Sequence, residues 1–251
     1  MPLTQDLLAS DQASYARATQ SPFLRAASAG RCPKPILGRW LANDRLYIHA
    51  YIRGVGLLLS ALDLPDVATP AGAREPPTER LLQWLVDALV NVRREEKFFI
   101  ATAARFDIDV NLPTTSSGIV SQDEKLEGLR RFEHLFGNVN RTEGELGWLE
   151  GAVLLYATEK CYLDAWTGAR DALEPEKDGS GDADGGVLRT EFIPNWSSAE
   201  FREFVDCLGG IIDDAVEPQG EEALPGLKER ALKVWREVVL AEEHFWPAME
   251  E

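Results

Sequence analysis

Apolar residues recur along most of this chain at three- and four-residue spacing, while alternating runs bounded by Asn-Gly or Asp-Gly turns are nearly absent. The pattern predicts helices over residues 11–29, 34–63, 78–106, 121–137, 142–170, 197–216 and 224–249. The expected fold class is therefore all-α, a bundle of about seven helices. Proline- and glycine-rich connections such as "LPDVATPAGAREPP" and "NLPTTSSG" fall between the periodic segments. The longest connection, "LEPEKDGSGDADGGVLRTEFIPNW", has few hydrophobic residues in its centre, so residues 171–190 are expected as a flexible surface loop. "DGSGDADGG" lacks the spacing and terminal glutamate of an EF-hand loop and reads as a solvated linker. With no internal repeat and no sharp change in composition, residues 1–251 read as a single helical domain.

Three carboxylates interrupt the apolar faces. In "RWLANDRLYIHAYI", Asp44 shares its stripe with Trp40, Leu41, Tyr47, Ile48 and Tyr51, whereas Arg45, His49 and Arg53 form a separate polar side. In "LEGAVLLYATEKCYLDAW", Glu159 stands among Ala152, Leu155, Tyr156, Tyr162, Leu163 and Trp166. In "KVWREVVLAEEHFWPAM", Glu242 has Trp235, Val238, Val239, Phe245 and Trp246 at its stripe positions, while Glu243 shares a face with Arg236. A buried carboxylate must change its protonation state, find a partner or serve a ligand. For any one of the three, an arginine from another element or water at the bundle rim is the ordinary explanation. For all three together, a common acidic, aromatic-walled pocket stands level with it. Such a pocket suits a flat, nitrogen-rich heterocycle, whose rings stack on aromatics and whose N–H groups and ring nitrogens meet carboxylates.

The overall charge narrows the partners. Forty-two acids against 26 bases give a net charge of −16, which argues against a phosphate backbone as partner. No basic leader and no charge-free run of membrane-spanning length are visible, so a cytoplasmic protein without a membrane partner is expected. Cys32, Cys161 and Cys207 have no CxxC spacing and read as reduced thiols. A di-iron bundle would need Glu-x-x-His pairs, but Leu46, Arg131 and Ala241 precede His49, His134 and His244 by three. Each histidine fits a surface or hydrogen-bonded role better than haem ligation. No metal and no cofactor are expected, and no phosphate loop, GxSxG elbow or HExxH motif is present.

The segments "SPFLRAASAG", "RWLANDRLYIHAY", "AVLLYATEKCYLDAW", "IPNWSSAEFREFV" and "AEEHFW", in this order over most of the chain, resemble the TenA/thiaminase II family. The resemblance implies a haem-oxygenase-like bundle, homo-oligomeric assembly and hydrolysis of thiamin-derived aminopyrimidines in pyrimidine salvage. It further implies that Asp44 binds the ring's amino group and an adjacent nitrogen, that Tyr47 lines the pocket, and that Trp196 lies against the pyrimidine; Tyr51, on the Asp44 stripe, is a further substrate-binding candidate. Glu242 would exchange a proton with the ring, and Tyr162 would orient a catalytic group. Members of the thiaminase II type carry a nucleophilic cysteine in "PCxWxY"; here Thr158 stands at that position, and the adjacent Glu159 resembles the branch with a glutamate and no such cysteine. An acid–base mechanism follows, with Glu159 as base and Glu242 as acid. A non-catalytic ligand-binding or regulatory protein is the alternative, and an oxidative metalloenzyme on the same bundle a third.

Overall fold

The computed structural model describes residues 1–175 and 177–249. Among these, ten α-helices follow one another: α1 (Leu3–Ala9), α2 (Gln12–Thr19), α3 (Pro22–Ser28), α4 (Lys34–Ala61), α5 (Pro77–Arg105), α6 (Glu127–Gly137), α7 (Leu149–Asp171), α8 (Ile193–Trp196), α9 (Ala199–Val216) and α10 (Leu224–Glu243). A 3-10 turn at Gln122–Glu124 precedes α6, and a π turn at Leu188–Phe192 runs into α8. Among the described residues there is no strand, only an isolated bridge between Thr114 and Val120. None of the described helices is long and apolar enough to cross a membrane.

Local chemistry sets several boundaries. The segment expected as one helix over 11–29 is two, because Pro22 disfavours the α conformation at the preceding Ser21, which is held extended. Ser21 instead caps α3 by accepting from Leu24 N, as Asp11 caps α2 and Ser198 caps α9. The short α1 carries too few periodic residues to be seen in the sequence. The last helix ends at Glu243, so Phe245 and Trp246 reach the core from the chain beyond it rather than from a continuing stripe.

Two pairings place the long helices around the site. α4 packs on α5 and α6, and α7 packs on α9 and α10, with one contiguous apolar core between them. Close approach depends on glycine at two places. A Cβ at Gly54 would lie 2.5 Å from Phe136 Cδ1, so α6 can press Phe136 against Tyr51 and Tyr47. A Cβ at Gly128 would lie 2.4 Å from Phe245 N, and Gly128 N donates to His244 O at the end of α10.

The 171–190 segment departs from the free surface excursion expected of it. Arg189 and Asp182 form a buried ion pair, with Nε to Oδ2 at 2.8 Å. The Asp184 carboxylate, itself buried, accepts from Gly186 N and Leu188 N. Ala183 N donates to Gly30 O just after α3. The acids of the "DADGG" stretch are thus consumed by internal pairing, which a count of hydrophobic residues does not register, and they tie the chain down before the π turn and α8.

Candidate functional site

A cavity of about 150 Å3 opens between α4, α5, α7, α8 and the start of α9. That is about the size of the roughly 150 Å3 engineered cavities that admit a benzene ring, so it fits a ligand of one ring. α4 contributes Asp44, Tyr47, Ile48 and Tyr51 at three- and four-residue steps, which places them on one helix face. α7 contributes Glu159 and Tyr162, and α8 contributes Asn195 and Trp196. Phe201 and Phe204 from α9 and Ala88, Val92 and Glu95 from α5 close the remaining sides. Across the mouth Arg94 of α5 pairs with Glu200 of α9 at 2.8 Å, both largely exposed.

The aromatic walls are braced from behind. Trp196 stacks on Phe192 at 4.7 Å and 5°, leans on Trp166 at 4.6 Å, and meets Tyr162 edge-on at 5.8 Å. Tyr47 packs edge-on against Phe132 and Phe136. Trp40 fills the space behind, within 6.5 Å of Tyr162 and 5.5 Å of both Trp166 and Trp196.

The carboxylates differ in what holds them. Asp44 is buried, and among the described residues no hydrogen-bond donor reaches it. Burial, followed by the charges of Glu95 and Glu159, pushes its carboxyl well above the usual carboxylate range. Glu159 accepts from the Tyr51 hydroxyl at 2.6 Å. Burial pushes its carboxyl up to about 7, against the downward pull of the Tyr51 hydroxyl, and the Glu95 charge adds to the rise. This brings the Glu159 carboxyl close to neutral pH. Tyr47, Tyr51 and Tyr162 are held in the neutral phenol form, first by burial and then by the surrounding acids.

Six of the seven residues singled out in the sequence, Asp44, Tyr47, Tyr51, Glu159, Tyr162 and Trp196, line this one cavity. The seventh, Glu242, does not. It points inward and is 2% exposed, but it is not among the lining side chains, and its Oε2 meets no donor among the described residues. Its place is close enough for burial and then the charges of Asp44 and Glu159 to push its carboxyl well up. The helical period that turned Glu242 inward gives its angle about α10 but not its depth behind the wall. The adjacent Glu243 pairs with Arg17 at the surface.

The sequence reading missed Glu95. Its two oxygens accept from Trp196 Nε1 at 2.6 Å and Asn195 Nδ2 at 2.9 Å. The available signal was its spacing from apolar Ala88 at i−7 and Phe99 at i+4, obscured by the charged run "RREEK". The other acid of that run, Glu96, pairs with His49 at 3.0 Å and with Arg93 on the opposite side. At the cysteine position of the resemblance, Thr158 donates its hydroxyl to Leu154 O. Cys161 is fully buried, does not line the cavity, and has its thiol pushed far up by burial. Among the described residues no group of three or more His, Cys, Asp and Glu side chains is arranged to hold a metal ion.

No protein-family model matches the chain. A probable transcription factor of Fusarium pseudograminearum is 24% identical over 239 residues, covering 84% of this chain and 45% of that protein, so the chain spans about half the length of this curated relative. Three solved structures align over nearly the whole chain. A TenA homologue from Pyrococcus furiosus has a TM-score of 0.70 at 24% identity, covering 97% of this chain and 98% of that one. A TenA family transcription regulator from Silicibacter sp. TM1040 has a TM-score of 0.64 at 12% identity, covering 98% and 97%. A TenA homologue from P. horikoshii OT3 has a TM-score of 0.62 at 16% identity, covering 98% and 99%. The chain therefore has the all-α fold of the TenA homologues.

Proposed function

We propose that the chain is a TenA-type hydrolase of thiamin-derived aminopyrimidines, working by acid–base catalysis without a cysteine nucleophile. The observation that carries this reading is the convergence of Asp44, Glu95 and Glu159, from three helices, on one aromatic-walled cavity of single-ring size. A carboxyl with a raised proton affinity, such as Asp44, matches the edge of an aminopyrimidine. Its carbonyl oxygen accepts the exocyclic N–H and its O–H donates to the neighbouring ring nitrogen. Moving that proton to the ring leaves two hydrogen bonds in the same places, both now donated by a protonated ring to a carboxylate. Tyr47 and Trp196 then bound the ring.

Hydrolysis of an aminomethyl substituent breaks its C–N bond, forms a C–O bond from water and releases ammonia. Glu159, held by Tyr51, takes the proton of the attacking water, and a protonated carboxyl supplies the leaving amine. The Asp44 proton is engaged at the ring edge, so the carboxyl that returns a proton to the amine is Glu159 itself, protonated in the exchange with water. Glu242 enters this scheme from behind the wall, as a neighbour whose charge state is linked to Asp44 and Glu159, rather than as a direct donor. No thiol lines the cavity among the described residues, so the covalent route to thiamin cleavage has no nucleophile here.

Incubation with aminopyrimidine, formylaminopyrimidine and thiamin, followed by mass spectrometry and ammonia detection, tests the reading. Turnover of either of the first two without thiamin cleavage is expected. Binding without turnover of any of the three would favour the second reading, a ligand-responsive regulatory protein. That reading draws support from the relative described as a probable transcription factor and the structure described as a transcription regulator. The cytoplasmic location and homo-oligomeric assembly expected above belong to the same proposal.

A further inference from the structure

Glu95 lines the cavity and is hydrogen-bonded to two other residues of its wall. Its two oxygens are occupied by Trp196 Nε1 and Asn195 Nδ2, which are neutral donors. They solvate an anion without neutralising it. The titratable groups that share the cavity with it are Asp44, Tyr47 and Tyr51 on α4, Glu159 and Tyr162 on α7 and Glu200 on α9, all acids or phenols, and its charge acts on Asp44, Glu159 and Tyr162. Arg94, the cation lining the cavity among the described residues, sits at the exposed mouth and is engaged by Glu200.

We propose that Glu95 is a positioning residue of this site, fixing the Trp196 wall through its two neutral donors and, as an anion without a buried counterion, governing whether Glu159 carries a proton. The inference rests on the reading above only in taking this cavity as the site. The Glu95 charge also reaches Asp44 and Tyr162, so one residue on α5 adjusts groups on both α4 and α7. Burial raises the proton affinity of Glu95 itself, and the Trp196 and Asn195 donors, then the Arg94 charge, pull against that rise. The two donors and Arg94 favour its ionised form, the form whose charge acts on Glu159.

Infrared titration of the ligand-free protein tests this without any turnover. The protonated-carboxyl band lost in Glu159→Gln identifies Glu159, and its midpoint is followed against pH. In Glu95→Gln, a near-isosteric change whose amide can still accept from Trp196, the midpoint is expected to fall by roughly 0.5 to 1 pH unit. Glu95→Asp, which keeps the charge, is expected to return it toward the wild-type value. An unchanged midpoint in Glu95→Gln, or the same shift in Glu95→Asp, would overturn the proposal. Should Glu95→Gln fail to fold, Trp196→Phe removes one donor, makes Glu95 easier to protonate and is expected to lower the midpoint in the same direction; no movement there overturns it equally. Failure of the aminopyrimidine panel would leave this result standing, so the two readings fail separately.

Discussion

Replacing Glu159 by glutamine should make the ligand-free protein more stable at alkaline pH while leaving it nearly unchanged at acid pH. Raising a carboxyl from its ordinary 4.5 to about 7 corresponds, at about 1.36 kcal/mol per pH unit, to about 3 kcal/mol. The sign follows from where the proton is. Below pH 4.5 the carboxyl is protonated in both the folded and unfolded chain, and there is no penalty. Between 4.5 and about 7 the unfolded chain ionises first, so stability falls as pH rises. Above about 7 both states are ionised and the full penalty persists. The glutamine side chain of Glu159→Gln never ionises, and its amide oxygen can still accept from the Tyr51 hydroxyl. Urea denaturation of both proteins at intervals from pH 4 to 9 should therefore give curves that agree within about 1 kcal/mol at the acid end. They should separate by about 2 to 3 kcal/mol above pH 8, with the variant the more stable. Asp44, Glu95 and Glu242 keep their own raised proton affinities, so the variant should retain part of the downward slope. Two parallel curves, or a variant that is less stable throughout, would show that Glu159 ionises freely in the fold, and the acid–base assignment would lose its physical basis.

Asp44→Asn removes the carboxyl that meets the ring edge, and calorimetric titration with an aminopyrimidine should show binding roughly 10- to 100-fold weaker, the loss of a hydrogen bond to a charged or ionisable group; equal affinity would place the ring elsewhere. Asp182→Ala leaves the buried Arg189 guanidinium without its partner, and thermal or urea unfolding should report a loss of about 3 to 5 kcal/mol; a change below about 1 kcal/mol would mean that water reaches Arg189 and the segment is loose. In the native protein a thiol reagent should modify Cys207 quickly and Cys161 only on unfolding, and Cys161→Ser should leave turnover of any accepted aminopyrimidine within about threefold. Loss of activity in that variant would return the thiol to the mechanism.

How much of this was legible in the sequence depended on what helical spacing can encode. It gives the direction in which a side chain leaves its own helix axis, and that sufficed for Asp44, Tyr47 and Tyr51 on α4 and for Glu159 and Tyr162 on α7, each flanked at helical steps by residues that are buried. It does not give depth. Glu242 faces inward on α10 as its stripe requires, yet is not among the lining side chains, because how far a helix sits from a cavity is set by its packing on other elements and not by its own spacing. Nor does it give partners from distant elements. Within "RREEK", Glu95 and Glu96 look alike in sequence, and their fates are decided by what stands opposite: Trp196 and Asn195 for one, His49 for the other. The same limit explains Asp182 and Asp184, whose partners close local loops that no period reports. A charged residue on a helix is thus assigned by two conditions, the angle it leaves at and the donors it meets. Only the first is written in the spacing of its own helix, which is why the carboxylates surrounded by apolar neighbours were found and the one set in a charged run was not.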